Sequence, residues 1–298
     1  MSSPLIEGLR NVALNVPDLA QAETFYTNAW NLQVSERQGG ALYLRGTGRD
    51  PYLLVLHQGE AIAQLRSVTL RARSEAALGV IAQKAVAAGG TVIAPLGDLD
   101  EPAGGRGVTL RDRQGRLFQI VHGDAVREDA GQQKDRPVRL AHVVLNSCAP
   151  NDTCAFLEEA LAFTLADLTV RIAFMNCNTD HHTVGVAIAN NNALNHIAFL
   201  MPDGDSLMRG AGRMRDAGYP IQWGPGRHGP GDNLFNYFID PFGIPIEYTA
   251  EVQQIDESYK PRGPEDWKWP PGRIDQWGIS APPTTALKEA QERIHFIS

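Results

Sequence analysis

Leu9-Arg10-Asn11-Val12-Ala13-Leu14-Asn15 and Leu140-Ala141-His142-Val143-Val144-Leu145-Asn146 are two versions of one short, mostly apolar strand. Asp112-Arg113-Gln114-Gly115-Arg116-Leu117-Phe118-Gln119 and Asp240-Pro241-Phe242-Gly243-Ile244-Pro245-Ile246-Glu247 form a second matching pair. The members of each pair stand about 130 residues apart in the chain. Similarity that returns at a fixed spacing is typical of internal duplication, so the two halves are predicted to share one layout.

Each half divides once more into two similar units. Ser67-Val68-Thr69-Leu70 in the first half resembles His196-Ile197-Ala198-Phe199 in the second, and both have the pattern of short apolar strands. A helix is predicted after each opening strand, with Asp18 as the N-cap in the first half and Asp152 before the helix in the second. Further helices are predicted over 74–88 and 206–217, and strand runs broken by glycine turns over 107–121 and 234–248.

The repeating unit is therefore a strand, a helix and about three strands, used four times. This pattern predicts an α+β fold of two domains, each made of two βαβββ modules that form a half-open mixed barrel. Residues 127–137 are polar and contain Gly and Pro, which is typical of a linker. The predicted division is an N-terminal domain without metal over 1–126, that linker, a C-terminal catalytic and metal-binding domain over 138–253, and a tail over 254–298.

The tail has its own composition. It carries three of the five tryptophans of the chain, and it is predicted to end in a helix over 284–295. So apolar a segment is not typical of a free linker. It can be a lid over a site, or it can pack against the second domain or a neighbouring subunit, and the sequence leaves these readings open.

The composition excludes several classes of protein. The chain has 298 residues, 43% of them hydrophobic, with a net charge of −7, which argues against a nucleic acid or an anionic membrane as the main partner. No apolar run approaches the ~20 residues that a membrane-spanning helix needs, and the first residues lack a signal-peptide pattern. Three cysteines without CxxC spacing fit a reducing compartment, so a cytoplasmic protein is predicted.

Two histidines and one glutamate interrupt apolar strands of the second half. His142 and His196 open successive modules, and Glu247 stands inside Ile244-Pro245-Ile246-Glu247-Tyr248. The repeat makes these positions equivalent, so their side chains should face one barrel interior. A buried carboxylate near two imidazoles is unfavourable unless it is paired or bound to a cation. Two His and one carboxylate on one face form the ligand set of non-haem Fe(II) sites.

The first half supports the metal interpretation by contrast. At the equivalent places it has Asn11, Ser67 and Gln119, which would hold a divalent metal poorly. For any single histidine, a satisfied place in the core is the more common explanation. Three ligand types at repeat-equivalent positions favour the metal site over that explanation.

The segment from His228 to Glu247 carries a more specific pattern. His228, Tyr237, Asp240-Pro241, Gly243 and Glu247 have the spacing found in the type I extradiol ring-cleavage dioxygenases of the vicinal oxygen chelate superfamily, and the chain resembles that family over nearly its whole length. It departs from the pattern at Asn236, where the family has an apolar residue. Asn178-Thr179-Asp180-His181-His182-Thr183 is a second match.

The resemblance implies a reaction and its residues. It implies cleavage of a catechol ring next to the two hydroxyls with insertion of both atoms of O2, at Fe(II) or at manganese, in a homo-oligomeric protein. It implies His142, His196 and Glu247 as metal ligands and His182, His228 and Tyr237 as catalytic residues. His181 is expected to point the other way on a strand and to be structural.

Two other classes remain open. One is a non-redox metalloenzyme of the same superfamily, an isomerase or thiol transferase that needs no O2. The other is a metal-free protein of the same fold that only binds a ligand.

Overall fold

The computed structural model describes residues 4–131 and 133–297; Met1–Ser3, Gln132 within the predicted linker, and Ser298 lie outside the described residues. The first half contains β1 (Ile6–Val16), α1 (Leu19–Thr24, continued by a wider turn over Phe25–Ala29), β2 (Gln33–Gln38), β3 (Ala41–Arg45), β4 (Leu54–Gln58), β5 (Gln64–Ala72), α2 (Glu75–Ala87), β6 (Thr91–Asp98), β7 (Arg106–Arg111) and β8 (Leu117–His122). Each of its two modules has the predicted order of one strand, one helix and three strands.

The second half repeats this order. It contains β9 (Arg139–Ser147), α3 (Pro150–Leu161), β10 (Thr164–Leu168), β11 (Ile172–Asn176), β12 (Val184–Ile188), β13 (Ala193–Leu200), α4 (Gly204–Asp216), β14 (Trp223–Arg227), β15 (Leu234–Ile239) and β16 (Pro245–Ala250). The tail adds α5 (Thr285–Ala290) and β17 (Ile294–His295). Within the described residues, no helix combines the length and the apolar character needed to cross a membrane.

The strands form two open sheets with matching topology. Their orders are β2-β3-β4-β1-β5-β8-β7-β6 and β10-β11-β12-β9-β13-β16-β15-β14. The opening strands of the two modules pair antiparallel at the centre of each sheet, and each pairs in parallel with the last strand of its own module. The predicted α+β fold of two duplicated, half-open domains is therefore confirmed.

The helix starts follow local capping rules, with one exception. The Asp18 carboxylate accepts hydrogen bonds from the backbone N–H groups of Ala20 and Gln21, both at 2.9 Å, so the predicted cap of α1 is confirmed. The prediction for α3 is wrong in detail. Its first residue is Pro150, and Asp152 lies inside the first turn, because proline suits a first helical position where no N–H partner is needed.

The end of the tail also differs from the prediction. The helix stops at Ala290, and Ile294 and His295 instead pair antiparallel with Leu194 and Ala193 of β13. Ile294 is buried there. Tertiary pairing and burial at the sheet thus override the helical pattern of the sequence.

One of the contacts between the two halves is made by the segment of α1 and the residue that follows it. The Trp30 ring, just after this helix, stacks on Tyr248 of β16 with ring centroids 3.7 Å apart. The Tyr248 hydroxyl donates to the Trp30 carbonyl at 2.7 Å, and the Tyr26 hydroxyl donates to Asp240 at 2.9 Å. The N-terminal half therefore packs directly against the strands that carry the second half's candidate ligands.

Asp240 makes the stability of this junction depend on pH. Burial raises the pKa of the Asp240 carboxyl to about 7, although the backbone N–H groups of Ile244 and Phe242 and the Tyr26 hydroxyl act in the opposite direction. In the unfolded chain its pKa is about 3.9. The folded protein binds this proton more tightly, so the contribution of Asp240 to stability falls as pH rises from about 4 to about 7.

The Asp240→Asn variant is expected to lose this pH dependence. The amide oxygen can still accept from the two backbone N–H groups, and the side chain is neutral at every pH. Relative to the unsubstituted protein, the variant should gain at most about 4 kcal/mol on going from low to neutral pH. Urea unfolding at about pH 5 and about pH 7.5 measures the difference. If the free energy of unfolding changes by the same amount between the two pH values in both proteins, Asp240 is not the source of the pH dependence.

Candidate metal centre

Three neighbouring strands place His142, His196 and Glu247 on one face of the C-terminal sheet. Ala198 at the centre of β13 is paired with His142 of β9 on one side and with Glu247 of β16 on the other. His196 precedes Ala198 by two residues and therefore faces the same side of the sheet. The small Ala198 side chain leaves the space between the three polar groups open.

The ligand atoms of the three residues converge. Nε2 of His142 and Nε2 of His196 each lie 3.2 Å from Oε2 of Glu247, and they are 3.4 Å from each other. Donor atoms about 2.1 Å from one ion and at right angles stand about 3 Å apart. The observed separations match that geometry, so one divalent ion fits between the three side chains.

One unsatisfied atom of the site also fits an ion. Oε1 of Glu247 is buried and has no hydrogen-bond partner within the described part of the chain. Burial alone would raise the pKa of Glu247, but the charges and hydrogen bonds of His142 and His196 hold it well below its usual range. A buried carboxylate with two imidazole nitrogens is a donor set that suits iron or manganese.

The N-terminal sheet has polar side chains at the same register. Thr69 is paired with Asn11 and Gln119 as Ala198 is paired with His142 and Glu247. The Thr69 hydroxyl donates to the Gln119 amide oxygen at 3.0 Å, and the Gln119 amide donates to Glu101 at 2.7 Å. These groups satisfy one another, which supports the prediction of a domain without metal; that assignment stays a prediction.

Tyr237 stands beside Glu247 because the two residues are paired across β15 and β16. Its hydroxyl lies 3.2 Å from Nε2 of His228 and 3.5 Å from Nε2 of His196. Burial, followed by the Glu247 charge, raises the pKa of Tyr237 well above its ordinary value. Tyr237 therefore keeps its proton at neutral pH and can donate a hydrogen bond into the site.

His228 approaches the cluster from the end of β14. Its ring stacks on Phe235 with centroids 4.0 Å apart, and its Nε2 is 3.8 Å from Oε1 of Glu247. Burial lowers the pKa of His228 to about 4; Glu247 opposes this shift, and His142 and His196 add to it. The ring is therefore neutral at pH 7.

The His182 ring lies against the ring of His142, one of the three candidate ligands. Its ring centroid is 4.3 Å from that of His142. Burial, and then the neighbouring imidazoles, lower the pKa of His182 well below its ordinary value. Gly231 lets the loop between β14 and β15 approach this ring, because a Cβ atom there would stand 3.1 Å from Cε1 of His182. The residue also has φ +79°, a conformation that favours glycine.

The expectation that His181 points away from His182 on a strand is wrong, whereas its structural role stays a prediction. Residues 181 and 182 lie between β11 and β12 rather than in a strand, so the alternation of side chains does not apply to them. Nδ1 of His181 is 3.1 Å from Nδ1 of His182, and both rings are buried. His181 is thus in direct contact with a candidate catalytic residue.

The tail packs against the loop that carries His228. The Gln276 side-chain amide donates to the carbonyl oxygen of His228 at 2.7 Å and to the Asp232 carboxylate at 2.6 Å. Just before the tail, the backbone N–H of Gln253 donates to the Gly231 carbonyl at 2.8 Å. These contacts favour the interpretation in which the tail covers the site of its own chain.

Comparison with known proteins places this geometry in a family. Residues 139–248 match the Glyoxalase/Bleomycin resistance protein/Dioxygenase superfamily. A protein named Metapyrocatechase 2, from Cupriavidus necator, is 27% identical over 93% of this chain and 90% of its own length. Manganese-dependent 2,3-dihydroxybiphenyl 1,2-dioxygenase from Geobacillus genomosp. 3 is 23% identical over 78% of this chain and 80% of its own length. The Mn(II)-bound glyoxalase from Novosphingobium aromaticivorans superposes with a TM-score of 0.87 at 29% identity, covering 95% of this chain and 94% of that one.

Residues 139–248, which carry the candidate ligands, are thus a domain of the vicinal oxygen chelate type, and the chain has the two-domain fold of glyoxalases and extradiol dioxygenases. Its two curated relatives above are dioxygenases, and the predicted resemblance to the type I extradiol enzymes is confirmed.

Proposed function

We propose that this chain cleaves a catechol ring next to its two hydroxyl groups and inserts both atoms of O2, as an extradiol dioxygenase. The convergence of His142, His196 and Glu247, with all ligand atoms within 4.8 Å of one another, carries the proposal. His182, His228 and Tyr237 add hydrogen-bonding and proton-accepting groups around that cluster. A metal site surrounded by such groups supports chemistry on a bound diol rather than storage of a ligand.

The three ligands would hold Fe(II), or manganese in its place, from one side. A bound ion would supply Lewis acidity, which stabilises the ionised form of a diol. His182 is neutral at pH 7, so a ring nitrogen can take the proton of a diol hydroxyl. We assign that acid–base role to His182.

Tyr237 and His228 would bind and orient the substrate. Tyr237 keeps its proton and can donate to a substrate oxygen, while His228 holds the Tyr237 hydroxyl through the contact at 3.2 Å. Trp223 stacks on the Tyr237 ring with centroids 5.1 Å apart and limits its movement. These contacts hold a hydrogen-bond donor beside the candidate metal ligands, where it can reach an oxygen atom of a substrate.

A second candidate is a non-redox metalloenzyme that needs no O2. The observation in its favour is the overall similarity to the Mn(II)-bound glyoxalase. We rank it second because the chain surrounds the ligands with His182, His228 and Tyr237, the set that the type I extradiol pattern contains. Both candidates use the same metal ligands, so dependence on O2 separates them.

The test is a metal analysis followed by oxygen uptake. Protein loaded with Fe(II) or Mn(II) is mixed with a panel of substituted catechols, with and without air. We expect one O2 to be consumed per catechol, a yellow ring-fission product, and no product without oxygen. Purified protein that binds neither metal, or turnover that is unchanged without O2, would contradict the proposal.

We further propose a cytoplasmic homo-oligomer. All three cysteines are free thiols, and the tail exposes Trp277 and Ile279, which would be covered in a subunit contact. Sedimentation of the full chain at several concentrations tests the oligomer; a monomer throughout would contradict it.

A further inference from the structure

A buried line of side chains leads from the tail to His182. Nε2 of His181 lies 2.9 Å from Oδ2 of Asp167, and Nδ1 of the same ring lies 3.1 Å from Nδ1 of His182. The Asp167 and His181 side chains are fully buried. Neither residue is close in sequence to the predicted metal ligands, and neither was identified from the sequence as a site residue.

With His181 as a neutral imidazole, the chemistry of these groups sets the direction of each hydrogen bond. The Asp167 carboxylate already accepts from the backbone N–H of Arg262 at 2.8 Å and from the Tyr259 hydroxyl at 3.0 and 3.1 Å. A carboxylate only accepts, so His181 must donate from Nε2. A neutral imidazole has one donor and one acceptor nitrogen, so Nδ1 of His181 is the acceptor. His182 must then donate from Nδ1.

We propose that Asp167 and His181 are positioning residues that hold His182 in the tautomer with its hydrogen on Nδ1. In this tautomer Nε2 carries the free lone pair, and Nε2 is the atom that takes the substrate proton. The assignment rests on the proposed function for its catalytic meaning, but the order of hydrogen bonds is a property of the folded chain alone. An acid–base imidazole held by a carboxylate through its other nitrogen is an established device for fixing a tautomer.

The isosteric Asp167→Asn variant tests the direction of the hydrogen bonds from His182 through His181 to residue 167. The backbone N–H of Arg262 can only donate, so the amide oxygen must take the place of Oδ1 and the amide NH₂ must face His181. Nε2 of His181 then becomes an acceptor and its Nδ1 a donor. His182 is forced to accept at Nδ1 and to carry its hydrogen on Nε2, which removes the free lone pair from the reacting side.

Two measurements decide the proposal. The first is the 15N spectrum of the full-length, metal-free protein with labelled histidine, in which the His182 signals are identified by their loss in His182→Phe. We expect hydrogen on Nδ1 in the unsubstituted protein and on Nε2 in Asp167→Asn. The second is steady-state cleavage of catechol by the metal-loaded proteins. We expect kcat to fall about 10- to 100-fold in Asp167→Asn, with KM and metal content unchanged.

Tyr259→Phe is the matched control. It removes a donor to the same carboxylate and keeps the ring in place, but Arg262 and His181 still fix the direction of the hydrogen bonds. The His182 tautomer should therefore stay unchanged, and kcat should fall less than about threefold. A kcat loss equal to that of Asp167→Asn would mean that Asp167 and His181 affect His182 only through packing.

The failures are distinguishable. Hydrogen on Nε2 of His182 in the unsubstituted protein would overturn the positioning proposal whether or not catechol is cleaved. Normal kcat in an Asp167→Asn variant with the reversed tautomer would overturn it as well. Absence of ring cleavage by the unsubstituted, metal-loaded protein would instead contradict the proposed function, and the spectra would still decide the order of hydrogen bonds.

Discussion

Replacing Glu247 with Gln is expected to abolish metal binding at micromolar metal and to lower ring cleavage about 1,000-fold or more. The amide has the size of the carboxylate but no charge, and the two imidazoles alone hold a divalent ion weakly. Loss of groups that only orient ligands typically lowers metal affinity or activity 10- to 100-fold, so loss of the charged ligand itself should have the larger effect. Metal content after dialysis and initial rates measure both quantities.

The first half offers a matched control for this change. Gln119 occupies the place that corresponds to Glu247 and hydrogen-bonds Thr69 and Glu101. Gln119→Met should lower the stability of the N-terminal domain but leave metal content per folded protein unchanged. Full metal occupancy in Glu247→Gln, or loss of metal in Gln119→Met, would contradict the assignment of the ligands.

Replacing His182 with Phe is expected to keep the metal and to slow ring opening by at least about 100-fold. Phe fills similar space against His142, and none of the three converging ligand atoms belongs to His182. The variant therefore removes a proton acceptor without removing a ligand. Metal content, KM for catechol and kcat are measured together, and only kcat should change strongly.

His122→Phe tests whether any histidine substitution has this effect. His122 lies in the N-terminal domain, where Nδ1 stands 3.1 Å from the Ala72 carbonyl oxygen. Its replacement should leave kcat within about twofold. Unchanged turnover in His182→Phe would remove this residue from the mechanism, and loss of metal would make it a ligand instead.

The sequence predicts the fold and the ligand cluster because both depend on short-range alternation that the duplication repeats. Residues at matching places of paired strands face the same side of a sheet, so His142, His196 and Glu247 could be brought together without a structure. Tyr237 was predicted from the resemblance of the His228–Glu247 segment to the type I extradiol enzymes. Equivalent positions in a duplicated chain were thus enough to predict the candidate metal centre.

The contacts that the sequence did not reveal are those between distant segments. His181 was misplaced because its segment has left the strand, where the rule of alternation no longer holds. Asp167 and Tyr259 gave no signal, because nothing in either local pattern indicates that a tail residue will meet the edge of β10. The tail's last strand likewise depends on a partner about 100 residues away.

The stacking of Trp30 on Tyr248 has a consequence for how such a chain can change over time. The first copy of the duplicated unit has no histidine or carboxylate at the positions that correspond to the candidate ligands, yet Trp30, just after its helix, packs against the second copy's sheet. Residues at the positions that correspond to the ligands could change during evolution, whereas the side chains that pack against the second copy could not. A shorter chain with only the second copy would expose the aromatic surface around Tyr248 to water, which is a physical reason for the chain to keep both copies.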